Sequence, residues 1–261
     1  MEALARPRIR GDGTTEAEWS AWPGLGQLPR VDARTLVPRG ARAVVVAPHP
    51  DDEVLSVGGL LAQLGHESEE GDEGLDGARI AVIAVTDGTA SHVGSTEWPV
   101  ERLARQRPRE SRLALRRLGL SVEPVRLGLP DGGLAALRGT LAARLVSLLR
   151  PRDVVFTTWR GDGHPDHEAA GQACALAAAS ADARLVEVPV WGWHWARPGD
   201  VRVPWQHAVR LDLDEDAVRR KRAAVQAFAS QLRRDGSTGA APVLRSTTVA
   251  RARRPYEVMF L

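Results

Sequence analysis

Short, fully apolar segments recur along this 261-residue chain, each followed by a stretch of helical character, and that alternation constrains its fold more than any other feature. Residues 43–47 (AVVVA) and 80–86 (IAVIAVT) show no polar face at all. A strand that is apolar on both sides must be covered on both sides, which βαβ units achieve and solvent-facing hairpins do not. The spacing predicts further strands at 122–127, 153–158, 185–191 and 207–213. Helices are expected over 53–64, 100–118, from the 129–133 turn to 149, and over 167–180 and 215–232. This is an α/β pattern, with a mostly parallel central sheet between two helical layers. Residues 1–40 stay outside it and read as a loosely structured arm, in which Thr15 and Glu18 form a capping box opening a short helix. Residues 41–261 read as one domain. The acids among the glycines of GDEGLDG (71–77) read as a solvated loop.

Composition narrows the function by exclusion. No run approaches the roughly 18 apolar residues of a membrane helix. The first residues lack an apolar signal core, so the expected location is cytoplasmic. Cys174 is the single cysteine, which excludes an internal disulfide and a thiolate metal cage. A net charge of +2, without a clustered basic face, gives no footprint for nucleic acid. The chain contains no G-x-S-x-G elbow, no G-x-x-x-x-G-K-[ST] loop and no G-x-G-x-x-G after its first strand. Association into homo-oligomers is left open by the sequence.

Two clusters carry chemistry: His49-Pro50-Asp51-Asp52-Glu53 after the first strand, and His164-Pro165-Asp166-His167 after the fourth. Ligands of open α/β sheets bind beyond the carboxyl ends of the strands, where both clusters are expected. His49 and Asp52 stand three apart at a strand-to-helix corner and can turn toward one point, with His167 as a third ligand. Two imidazoles and a carboxylate leave open coordination positions, as in catalytic zinc sites, and the same set can hold non-haem iron. Zinc lowers the pKa of its water toward 7 and polarises a carbonyl oxygen. Asp51 and His164 are then available as general base and general acid. Asp166 is expected to hold the His164 imidazole in one tautomer. Each cluster alone has a plainer explanation, because acids favour helix starts and Pro-Asp can open a helix. Two such clusters after strands point instead to a metal-dependent hydrolase.

The segments VVVAPHPDDEVLSVGGLLA and GDGHPDHEAAG resemble the LmbE-like (PIG-L) N-deacetylases. VTDG, Arg107 to Glu110, LGLPDG and VPVWGW extend the likeness over about residues 41–260. The resemblance implies a Rossmann-like three-layer fold, zinc with iron as the alternative, and removal of an N-acetyl group from an amino sugar or glycoconjugate. It makes His49, Asp52 and His167 the ligands and Asp51 the base. His164 would stabilise the tetrahedral intermediate and protonate the amine, supported by Asp166, while Arg107 and Asp131 would contact sugar hydroxyls. One departure stands out: where many relatives carry a His close to a Ser-Gln pair, this chain reads Ala227-Phe228-Ala229-Ser230-Gln231.

Trp191, Trp193 and Trp195 sit at alternate positions, which at a strand end share one face and could wall a pocket or pack the sheet edge. Trp159, directly before the second cluster, has the stronger claim to the pocket. Two other functions fit a His/Asp metal site, a sugar-binding module with a structural metal and an iron oxygenase. The spare acid and base beside the metal suit hydrolysis better.

Overall fold

A computed structural model describes residues 9, 11–69 and 80–261. Eight strands form one sheet: β1 (Arg30–Val31), β2 (Ala43–Ala47), β3 (Ile80–Thr86), β4 (Val125–Leu129), β5 (Val154–Thr158), β6 (Arg184–Val188), β7 (Ala208–Asp212) and β8 (Tyr256–Phe260), in the order β1-β7-β8-β6-β5-β2-β3-β4. All neighbours run parallel except β8, which is antiparallel to β6 and β7. The chain leaves β2 toward β3 and β4, then crosses back to β5 on the other side of β2. That reversal opens a crevice beyond the carboxyl ends of β2 and β5, the usual ligand position of such sheets.

The two-sided burial of β2 follows from its sequence. Ala43 and Val45 face one core with the helices Asp52–Glu69, Val100–Arg117 and Glu215–Val225. Val44 and Val46 face another with Arg138–Val146 and Pro165–Ser180. The period of two thus delivers alternate side chains to opposite layers. Small residues on the second layer, among them Ala170, Ala173 and Ala177, are wholly buried against the sheet.

The helix Asp52–Glu69 is interrupted at Val57 (φ −129°, ψ 23°). The Glu257 carboxylate of β8 accepts from the N–H groups of Gly59 (2.6 Å) and Leu60 (3.0 Å), donors that the break leaves without helical partners. Lys221 Nζ donates to the same carboxylate at 2.6 Å and to Leu55 O at 3.2 Å.

Several expectations change. The described part of the arm is packed, not loose. The Thr15/Glu18 capping box forms and opens Glu16–Ser20, but Trp19 is wholly buried and β1 joins the sheet beside β7. Trp19 Nε1 donates to Trp193 O at 3.0 Å, and Thr14 Oγ1 to Ala196 O at 2.6 Å. The strand expected at 122–127 is β4, at Val125–Leu129, because the apolar residues before it, Leu120 and Val122, pack against the core from a loop. The strand expected at 185–191 ends at Val188, before Pro189, and Gly192–Trp195 is a helical turn, so the tryptophans do not alternate across a strand. The last long helix stops at Val225, with Ala229–Leu232 a separate turn. The acidic 71–77 loop falls outside the described residues. Among the described residues no helix is long and apolar enough to cross a membrane.

Candidate active site

The end of β2 delivers His49, and the helix after it begins at Asp52. Asp52 Oδ2 accepts from the His49 N–H at 3.0 Å, which turns the carboxylate back over the strand end. Three atoms then converge: His49 Nδ1 to Asp52 Oδ2, 3.2 Å; His167 Nε2 to Asp52 Oδ2, 3.2 Å; His49 Nδ1 to His167 Nε2, 3.3 Å. Ligands on a tetrahedral ion with bonds of roughly 2.0–2.1 Å stand about 3.3–3.4 Å apart. The opposite edges of both rings face acceptors. His167 Nδ1 donates to Asp162 Oδ2 at 2.7 Å, while His49 Nε2 faces Asp131 Oδ1 (3.2 Å) and Asp166 Oδ2 (3.3 Å). In neutral rings so held, both inner nitrogens offer lone pairs to a carboxylate oxygen. Such a set repels itself unless a cation sits among it, so these residues fit a metal ion.

The titration of the site carries the same message. Burial alone would discharge both rings, yet Asp131, Asp166 and Asp52 hold His49 well above its ordinary pKa. Burial likewise opposes the His167 charge, but Asp52 and Asp162 raise it to about 9. Burial would raise Asp52, and the two imidazoles hold it far below the usual carboxylate range. Carboxylates around buried imidazoles demand positive charge, which a metal ion can supply in place of protons.

Asp51 occupies a backbone conformation with φ +143°, which L side chains rarely adopt. The carboxylate of Glu53 accepts from its N–H at 3.0 Å, and Arg107 Nη2 donates to its Oδ2 at 3.0 Å and to Pro50 O at 2.8 Å. Arg107 Nη1 reaches Gly88 O at 2.7 Å, where a Cβ on the residue (φ +65°) would lie 1.9 Å from that nitrogen. Burial raises the Asp51 carboxyl to about 7, with Arg107 opposing and Asp52 assisting the shift. His164 Nδ1 accepts from the Asp166 N–H at 3.2 Å, which leaves its proton on Nε2. Burial, then the charges of His167 and His49, push its pKa down to about 3, so the ring is neutral.

Residues 44–178 match the PIG-L family, described as GlcNAc-PI de-N-acetylase. The chain belongs to that family. A 1D-myo-inositol 2-acetamido-2-deoxy-alpha-D-glucopyranoside deacetylase of Rhodococcus jostii is 29% identical, with 73% of this chain and 82% of the relative covered. A conserved protein of Thermus thermophilus is 32% identical over 74% of this chain and 80% of its own, with a TM-score of 0.52. The N,N'-diacetylchitobiose deacetylase of Pyrococcus horikoshii shares the fold at 19% identity, with a TM-score of 0.57 over 84% of this chain and 80% of its own.

Within this PIG-L fold the two motifs meet as the spacing suggested, but several partners differ. The Asp166 carboxylate does not hold the His164 imidazole. It accepts from Gly132 N (2.7 Å) and Leu134 N (3.1 Å) and faces His49, because the first turn of its helix aims it at the 131–134 loop. Asp131 also turns inward: Ala90 N–H donates to its Oδ2 at 2.7 Å and its Oδ1 faces His49. Burial works against that charge, but the His49 ring and the Ala90 N–H hold the carboxyl at about 2. Trp159 lies outside the cavity, stacked on Trp195 (centroids 6.2 Å apart) and edge-on to Phe260. Trp191 takes that wall instead, its ring 17° from parallel with His164 at 6.3 Å.

Two residues of the site had no role assigned from the sequence: Asp162, which was not singled out, and Glu53, which was named only as part of the first cluster. Asp162, wholly buried, orients His167 and accepts from the N–H groups of Val190, Trp191 and Gly192 at 2.7–2.9 Å. Its signal was a carboxylate five residues before a candidate ligand histidine, since such rings need an orienting acceptor. Glu53 braces Asp51 and accepts from Ser111 Oγ at 2.5 Å. Above this polar floor opens a cavity of about 300 Å³ whose outer wall includes Leu55, Val190, Trp191, Val243 and Leu244.

Proposed function

We propose that this chain is a metal-dependent N-deacetylase acting on an N-acetylated amino sugar or glycoconjugate, with zinc held by His49, Asp52 and His167 and iron as the alternative ion. The observation that carries this reading is the convergence of three lone-pair donors beside a separately held carboxylate, Asp51, raised to about 7. The relatives named above, one acting on an acetamido-deoxyglucopyranoside and one on diacetylchitobiose, support the substrate class. When bound, the ion would acidify water and polarise the amide carbonyl.

The chain's own residues supply the rest. Asp51, fixed by Arg107 and Glu53, takes a proton from the attacking water, a role suited to a base near the working pH. His164 donates its Nε2–H to the oxygen on which charge develops. Its Nδ1 is occupied by the Asp166 N–H, so this neutral ring is a better hydrogen-bond donor than proton source. The proton gained by Asp51 therefore passes to the departing amine. Asp166 and Asp131 orient His49, and Arg107 acts mainly through Asp51. Trp191 walls the cavity beside His164. Cytoplasmic residence belongs to the same reading and rests on the lone cysteine, Cys174. Neither an oxygenase nor a binding module has use for a base so placed.

The test is acetate release from a panel of N-acetylated sugars by metal-reconstituted protein. Chelation should abolish release, and His167→Ala should lose ion and turnover together. Undiminished release by metal-free protein would overturn the proposal.

A further inference from the structure

Behind the first turn of the helix Asp52–Glu69 lies a second cavity of about 40 Å³, which shares Leu55, Val190 and Thr248 with the reaction cavity. Its lining carries three cations, Lys221, Arg251 and Arg254, and one carboxylate, Glu257. Glu257 is engaged by Lys221 and two backbone N–H groups. Arg254 is paired with Glu16 through Nε (2.6 Å) and Nη2 (2.9 Å). No carboxylate lies within ion-pair distance of Arg251 among the described residues, and the charge of Glu16, already bound to Arg254, reaches it only through space. Its Nη2 donates to Thr14 O at 2.8 Å and Trp193 O at 3.0 Å, while its Nε is buried without an acceptor. The residue is only 9% exposed.

A guanidinium does not shed its proton at working pH, so a buried one must be compensated or remain costly. Two carbonyl oxygens tie Arg251 in place without neutralising it. A water takes roughly 10–15 Å³ of such space, so a cavity of about 40 Å³ suits an anion the size of acetate and not a sugar. A charge-assisted hydrogen bond to a carboxylate is the strongest use of the guanidinium edge that lines the cavity and is not tied to the two carbonyl oxygens. We infer that this cavity is a small-carboxylate site in which Arg251 receives acetate from the reaction cavity. Only the source of the acetate rests on the deacetylase reading; the anion site itself does not.

Titration of the zinc-loaded full chain with ¹³C-labelled acetate tests it. Wild-type protein should show an acetate site whose affinity falls about tenfold or more in Arg251→Gln, the loss expected for one charge-assisted hydrogen bond. Unchanged affinity in a folded Arg251→Gln protein would overturn the inference. Should that variant not fold, a wild-type crystal soaked in acetate decides: a planar four-atom group against the Arg251 guanidinium in this cavity supports the site, and an acetate found only at the His/Asp floor overturns it. If no N-acetylated sugar releases acetate, the deacetylase reading falls, while the anion site still stands or falls by this binding.

Discussion

The floor of the reaction cavity and the tryptophan cluster behind it are held together by opposite means. The floor is an assembly of buried charges, each fixed by another charge or a backbone N–H: Asp162 on His167, Glu53 and Arg107 on Asp51, Asp131 and Asp166 on His49. The cluster is apolar surface closed by ring packing, with Trp19 edge-on to Trp193 at 4.9 Å and Trp22 edge-on to Trp205 at 4.7 Å. One short segment serves both. The N–H groups of Trp191 and Gly192 hold Asp162, while Trp193 is buried in the cluster. Stability and chemistry are therefore separable residue by residue, even between neighbours in the chain.

That separation can be broken at defined points. Asp51→Asn should retain its ion, yet lose roughly 10²–10⁴ in turnover, the usual contribution of a positioned base. In wild-type protein the proposed base Asp51 would have to be ionised, so on that reading kcat/KM should fall as pH drops through its pKa. That limb should lie at or below pH 7, since a bound cation lowers a value of about 7, and the variant should lack it. A variant whose turnover returns on added zinc would instead make Asp51 a ligand. Trp193→Ala should cost about 3–5 kcal/mol of stability in a thermal or denaturant melt. At temperatures where it stays folded, turnover should change little; lost chemistry in a folded variant would join the two regions into one. Asp162→Asn should give the smallest change, about 10–100-fold in ion affinity by competition with a chelator, as for other groups that orient a ligand ring. Unaltered affinity would mean that His167 is placed by packing alone.

How far the sequence revealed this depended on local symmetry of environment. β2 and β3 read correctly to the residue because both faces are buried and no polar side chain interrupts them. β4 slipped because it is an edge strand with mostly exposed side chains. β1 has two residues, and its pairing with β7 comes from almost two hundred residues away, beyond any local period. β8 hides a charge, Glu257, that becomes acceptable only when Lys221 and the broken helix meet it. At the site, residue types and spacing sufficed to bring His49, Asp52 and His167 together. They did not reveal which carboxylate faces which ring: Asp166 stands two residues from His164, yet its oxygens serve His49, a choice made by the direction of the first helical turn. The same limit applied to Trp159 and Trp191, whose roles depend on whether 191–195 is a strand or a turn.

The Lys221–Glu257 pair has a practical consequence for handling the protein. Lys221 is the only lysine in the sequence, and it is buried beneath the break in the Asp52–Glu69 helix. Amine-directed reagents therefore meet no lysine on the folded surface. Dyes, crosslinkers and resins that rely on such amines will couple poorly, beyond any α-amino group. Any acylation of Lys221 marks a molecule that had opened at that helix, which makes the side chain a built-in counter of unfolding events.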